Sequence, residues 1–234
     1  MFTENNKTMQ CGFGSTNAVE FNSVKAELED RNMSLVGIMK TKFGVVAFGD
    51  SKSSYFYDET RRPSQRVTTV QKVFKKNNLL LVTWGDNEVR LKKGSIISLS
   101  ELINAVLTKL DNPTSFCECF QNKLLQLQAD KEQYFNFYIA YKDPEGDYCI
   151  TRQTISKYEI QRSLFTYQYG MYWAGHGGFA ATGMPINNEW SISEAKTVAT
   201  FFVESAIKLA EICEGETAPI GGPVQIETLP HSNL

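Results

Sequence analysis

The sequence predicts an α+β domain in which antiparallel sheets are layered against helices. Three observations predict it. Strand-like segments come in blocks rather than alternating with helices. The first four are linked in pairs by connections short enough for hairpins. The helical stretches carry apolar residues along one face, so each has a layer to cover.

Residues Met1–Asn32 are polar and Asn-rich, with one stretch, 18–29, that reads as a weak helix. From Ser34 the texture changes. Ser34–Thr41 and Phe43–Asp50 read as two strands around a tight turn, and Ser51–Arg66 as a polar connection. Val67–Lys75 and Leu79–Trp84 form the next pair, turned at Lys76–Asn78. Ser98 to Glu101 open a helix whose apolar face is Leu102, Ile103, Val106, Leu107 and Leu110. Asn112 caps a second helix with Pro113 in its first turn, followed by Phe116, Phe120, Leu124, Leu125 and Leu127. Gln133–Tyr141 and Tyr148–Thr154 read as strands, and strand-like sequence runs from Tyr158 to Ala174. The last helix is expected over Ser191–Cys213. Ser191 and Glu194 make its capping box, and Val198, Phe201, Phe202, Ala206, Leu209 and Ile212 its stripe. Val224–Leu229 closes the chain as a strand.

Of the 234 residues, 42% are hydrophobic and 21% charged, enough apolar surface to offset the entropy of ordering a core. Lys and Arg total 24 against 26 Asp and Glu, without the clustered basic run of a nucleic-acid binder. Apolar runs such as Leu79–Val82 fall far short of the ~20 residues that span a bilayer. The first twenty residues lack the basic, apolar and small-residue order of a secretory signal. Five unpatterned cysteines do not suggest a disulfide framework, so a reduced, cytoplasmic chain is expected. With only His176 and His231, a His/Cys metal site is hard to build; no metal and no cofactor are expected.

Neither G-x-S-x-G nor the phosphate-binding G-x-x-x-x-G-K-[ST] occurs. His176, flanked by Gly175, Gly177 and Gly178, reads first as a histidine at a strand end. Four residues in the first half stand at element boundaries: Ser34, Asp50, Lys72 in the third strand, and Gly85 after the fourth. Singly they are ordinary turn and edge residues.

Together they carry a resemblance. Val36–Ile38 with Phe43–Ser54 resembles the opening of proteasome β-type subunits and HslV, where two strands end in an Asp-Ser-Arg-x-Thr turn. Gln71–Phe74 is similar to the lysine-bearing strand of that family, Leu79–Asp86 to the strand that ends in glycine, and Ile220–Ile226 to its Gly-Gly-Pro strand. The resemblance implies an N-terminal-nucleophile hydrolase fold, a four-layer αββα sandwich of two antiparallel sheets. It also implies roles. Ser34 would be the nucleophile, Asp50 and Lys72 the charged pair beside it, and the Gly85 amide the oxyanion donor. Ser53, Val70, Thr83 and Asn87 would line the substrate pocket, Ser54 would offer backbone contacts, and His176 would stand at a supporting polar position. A peptide or protein substrate, a homo-oligomeric ring and an ATPase unfoldase partner follow by the same implication.

That chemistry requires Ser34 to be the first residue, because the free α-amino group is the base. Residues 1–33 are therefore expected to be a leader and 34–234 the domain. The leader reads as a propeptide, as an α-type helix, or as a stretch upstream of a true start at Met33. Two further readings of the same fold stay open, a catalytically silent assembly subunit and an amidase acting on small molecules.

Overall fold

A computed structural model describes residues 34–53, 68–92, 94–175, 186–215 and 218–231. The expected leader, Ser54 and His176 lie outside the described residues.

The apolar run after Ser34 becomes β1 (Leu35–Thr41) and β2 (Gly44–Gly49), whose residues are all buried. Strands this apolar on both faces need cover on both. β1 and β2 form the centre of one antiparallel sheet, flanked by β12 (Gly170–Gly175) and β13 (Gln225–Pro230) in the order β12-β1-β2-β13. A second sheet is built from β5 (Val73–Lys76), β6 (Leu79–Trp84), β9 (Tyr134–Lys142), β10 (Tyr148–Ser156) and β11 (Ile160–Thr166), in the order β11-β10-β9-β6-β5. Two short pairs complete the strands: β3 (Lys52–Ser53) with β4 (Thr68–Thr69), and β7 (Glu88–Arg90) with β8 (Ile96–Ser98).

Three apolar layers follow from the alternation of side chains along these strands. Val36, Ile38, Val45 and Ala47 of the first sheet meet Leu80, Val82, Tyr138 and Ile150 of the second. The other face of the second sheet, with Leu81, Phe135, Phe137 and Ile139, is covered by α1 (Leu99–Thr108) and α2 (Phe116–Gln126). The other face of the first sheet, with Leu35, Met39, Val46 and Phe48, is covered by α3 (Ile192–Glu214). The fold is the expected α+β sandwich of two antiparallel sheets between helices.

Lys40, at the far end of β1, is fully buried between the sheets. Its ammonium donates to the carbonyls of Tyr148 (2.6 Å) and Tyr167 (2.8 Å) and pairs with Asp147 at 2.9 Å. Three partners match its three donors.

Some local expectations need correction. Val67–Lys75 is not one strand: β4 and β5 are separate, and Lys72 lies just before β5. Tyr158–Ala174 divides into β11 and β12, which belong to different sheets. The closing strand begins at Gln225, so Gly221 and Gly222 lie in the bend ahead of it. The Ser191–Glu194 capping box is present, whereas Ser98 caps α1 without a side-chain bond. The buried stripe of α3 is rotated from the expected one, being Ala195, Ala199, Phe202, Val203, Ala206 and Ala210. Phe201 is 61% exposed and Ile212 70%. Alanines let the helix axis approach the sheet closely, so the small residues face inward and several large ones outward. Among the described residues, no helix is long and apolar enough to cross a membrane.

Phe202 packs edge-on against Phe48 at 5.7 Å and Trp173 at 6.2 Å. Phe202→Ala is expected to cost ~3–5 kcal/mol in urea unfolding, and Phe201→Ala less than about 0.5 kcal/mol. Equal costs would refute the rotated stripe.

Candidate functional site

Where β1 begins and β2 ends, the hairpin brings Ser34 and Asp50 to the same end of the sheet. Ser34 is 2% exposed and Asp50 fully buried. Asp50 Oδ1 accepts from the Leu35 amide at 2.8 Å, which is the N–H of the peptide bond that follows Ser34. In return the Asp50 amide donates to the Leu35 carbonyl at 2.9 Å. The second oxygen, Oδ2, accepts from the amides of Lys52 (3.1 Å) and Gly221 (3.2 Å). Gly175 closes the opposite side of Ser34. A Cβ there would stand 1.5 Å from the Ser34 carbonyl oxygen, and its φ of +101° suits glycine.

Lys72 reaches this carboxylate from the other sheet's approach. Its Nζ donates to Asp50 Oδ1 at 2.8 Å and to the Lys52 carbonyl at 2.6 Å, with both charged side chains fully buried. The backbone around it is held as firmly: the Lys72 amide donates to Gln225 Oε1 (2.8 Å), and the Thr83 amide donates to the Lys72 carbonyl (3.0 Å). Burial pushes the Lys72 ammonium below its ordinary value of 10.5, and the charge and hydrogen bond of Asp50 oppose that shift.

Gly85 follows β6 with a φ of +95°. Beside it, Asn87 donates to Ser53 Oγ at 2.8 Å, which joins two of the expected pocket residues. Thr83 is buried, with its hydroxyl donating to the Asn136 carbonyl at 3.0 Å. Val70 is half-buried; its amide donates to the Ser51 carbonyl (2.8 Å), and its carbonyl accepts from Gln225 Nε2 (2.6 Å). Ser34, Asp50 and Lys72 thus share one network, Ser53 and Asn87 another.

Sequence reasoning missed Gly221, Gln225 and Gln133. Gly221 ligates the carboxylate, and Gln225 positions the Lys72 backbone. Gln133 is buried, donates to Asp86 Oδ2 (3.2 Å) and the Glu88 carbonyl (3.0 Å), and accepts from the Arg90 amide (2.7 Å). It thereby secures the loop after Gly85. The paired glycines before Pro223 were the one visible signal for the first of these. The two buried thiols are poor candidates for chemistry: burial holds Cys117 up at about 12 and raises Cys149 as well. Among the described residues no group of three or more His, Cys, Asp or Glu could hold a metal ion.

No family model and no curated protein matches this sequence. Solved structures do match. Anbu (ancestral β-subunit) from Yersinia bercovieri aligns over 84% of this chain and 81% of its own, with TM-score 0.54 and 10% identity. The Anbu (Gly-1) mutant from Hyphomicrobium sp. strain MC1 aligns over 86% and 88%, with TM-score 0.51 and 10% identity. Thiobacillus denitrificans BPH aligns over 85% and 99%, with TM-score 0.51 and 16% identity. The likeness is one of fold. This chain has a proteasome-like fold. Membership of the proteasome β-type and HslV subunits, suggested by the sequence motifs, is corrected by these findings, since no family model matches and the structural neighbours are Anbu and BPH.

Two outcomes test the buried pair. Asp50→Ala leaves an uncompensated ammonium and is expected to cost ~3–5 kcal/mol in urea unfolding, with Lys72→Met restoring part of that loss in the double variant. A cost below about 1 kcal/mol would contradict the geometry. The Lys72 Cε resonance is expected to titrate below 10.5 in the folded protein. Between that folded pKa and the unfolded value the unfolded chain binds more protons, so this group's contribution to stability rises with pH across that window. Titration at or above 10.5 would refute the shift.

Proposed function

We propose that this protein is an amide-bond hydrolase, a peptidase or amidase, whose nucleophile is the Ser34 hydroxyl once Ser34 is the first residue of the chain. The single observation that carries the reading is the buried Lys72–Asp50 pair, with Asp50 hydrogen-bonded to the peptide that follows Ser34. A buried ion pair is costly unless fully ligated. Spending four donors on one carboxylate beside a serine is economical if that serine must be held in one orientation. The proteasome-like fold supports the same reading.

In the proposed reaction the α-amino group of Ser34, with an ordinary pKa of ~8, takes the hydroxyl proton as the oxygen attacks the substrate carbonyl. The Lys72 charge lowers the amine's pKa and favours the developing alkoxide; Asp50 keeps Lys72 charged and in place. The Gly85 amide donates to the oxyanion of the tetrahedral intermediate. The ammonium then returns its proton to the leaving amine, which departs and leaves an ester on Ser34. Water, activated by the same amine, hydrolyses that ester and restores the hydroxyl. Ser53, Val70, Thr83 and Asn87, with Ser54, would contact the substrate. The Yersinia bercovieri structure is named a β-subunit, which favours an assembly of several copies.

The test uses a chain engineered to begin at Ser34 and an irreversible β-lactone probe. One probe molecule is expected to add per chain by intact mass. The adduct should be lost in Ser34→Ala and slowed at least about a hundredfold in Lys72→Met. Fluorogenic peptides and small amides then separate peptidase from amidase. No adduct on the correctly folded Ser34 chain would sink the reading and leave an assembly subunit without chemistry.

A further inference from the structure

A cleft of about 550 Å³ opens at the end of the second sheet where β9 begins and β10 ends, beside the β7–β8 pair. Arg90, Lys92, Lys131 and Lys157 line it, with Asp130 as the one carboxylate among the described lining residues. The whole chain has slightly more acidic than basic residues, so four cations to one carboxylate is a local departure. Asp130 is also partly spent: its Oδ1 accepts the Glu132 amide at 3.1 Å. Among the described residues, the ion pairs do not include Arg90, Lys92, Lys131 or Lys157.

The cations stand on backbone that is already tied together. The Asp130 amide donates to the Arg90 carbonyl (2.8 Å) and the Lys92 amide to the Gln128 carbonyl (3.0 Å). The turn that carries Lys157 and Tyr158 is closed by the Ser156 amide on the Glu159 carbonyl (2.8 Å), and Ser156 Oγ accepts from the Tyr158 and Glu159 amides. The backbone that carries these cations is thus fixed around a concavity, and a cleft lined by one sign of charge concentrates anions. Two apolar groups also line the cleft and stay open to solvent: Tyr158 is 69% exposed and Ile96 55%. Lys157 lies 5.5 Å from the Tyr158 ring centroid, so cation and ring act as one surface.

We infer that this cleft binds a nucleotide-sized organic polyanion, with its flat or apolar body against Tyr158 and Ile96 and its phosphate or carboxylate groups on the four cations. The volume is that of a small-molecule site. The inference is independent of the reading of Ser34.

Calorimetric titration of the full chain tests it, with ATP, tripolyphosphate, citrate and a tetraglutamate peptide as separate probes. ATP is expected to bind saturably at one site. The affinity should fall at least about tenfold in Arg90→Glu/Lys131→Glu, whose exposed positions leave the unfolding transition in place. Tyr158→Ala is expected to weaken ATP several-fold while leaving tripolyphosphate unchanged, which assigns the ring to the organic part. Citrate against tripolyphosphate distinguishes carboxylate from phosphate as the preferred anion. No saturation with any oxyanion, equal affinity in the charge-reversed variant, or tighter binding of tetraglutamate than of ATP would overturn the inference, the last by pointing to a protein partner.

Discussion

The Lys72–Asp50 pair is the constraint around which this end of the molecule is arranged. Two full charges without solvent are tolerable only if nearly every lone pair and proton is engaged. Asp50 meets this condition with Lys72 and three backbone amides, drawn from the start of β1, the entry to β3 and the bend before β13. Residues far apart in sequence must therefore arrive at one point before the pair becomes affordable. Neutral isosteres would bury more cheaply. What the charges add is direction: an ammonium and a carboxylate accept few alternative arrangements, so the chain around Ser34 is held in one.

The rest of the sandwich makes that convergence possible. The register of β1 on β2 sets Ser34 beside the end of β2, and β13 on the other edge of β2 brings Gly221 to the carboxylate. Lys72 enters from the second sheet, so the distance between the two sheets decides whether its ammonium can reach. That distance is set by the apolar layer of Val36, Ile38, Val82 and Tyr138, and by contacts such as the Tyr138 hydroxyl on the Trp173 carbonyl at 3.1 Å. Packing in the middle of the molecule thus controls polar geometry at its end.

Much of this was legible in the sequence because it is local. The apolar runs around the turn at Thr41–Gly44 announce a buried hairpin, and the Asn pair at 77–78, with Asn77 at a φ of +49°, marks the turn of β5 and β6. Asp50 and Lys72 were legible through motif spacing, while their burial was not: a lysine placed in a strand reads as a solvated edge residue until the opposite sheet is laid over it. Gly221 and Gln225 lie over 150 residues from their partners, and no local pattern carries such a contact. The rotation of α3 was hidden for another reason. Pattern reading weights residues by apolar size, whereas a helix pressed against a sheet selects for smallness, which put Ala195 and Ala199 where Phe201 was expected to face.

Lys40 has a bearing on what a shortened chain would do. A strand that starts at a polypeptide terminus ordinarily frays, because its first residues lack a preceding anchor. β1 has a buried ammonium engaged with its neighbours near each extremity, Lys40 directly and Lys72 through Asp50. Between these rivets the strand can neither peel from its two neighbours nor slide by two positions without stranding a charge in hydrocarbon. A cut immediately ahead of Ser34 would leave a terminus as immobile as the interior of the sheet.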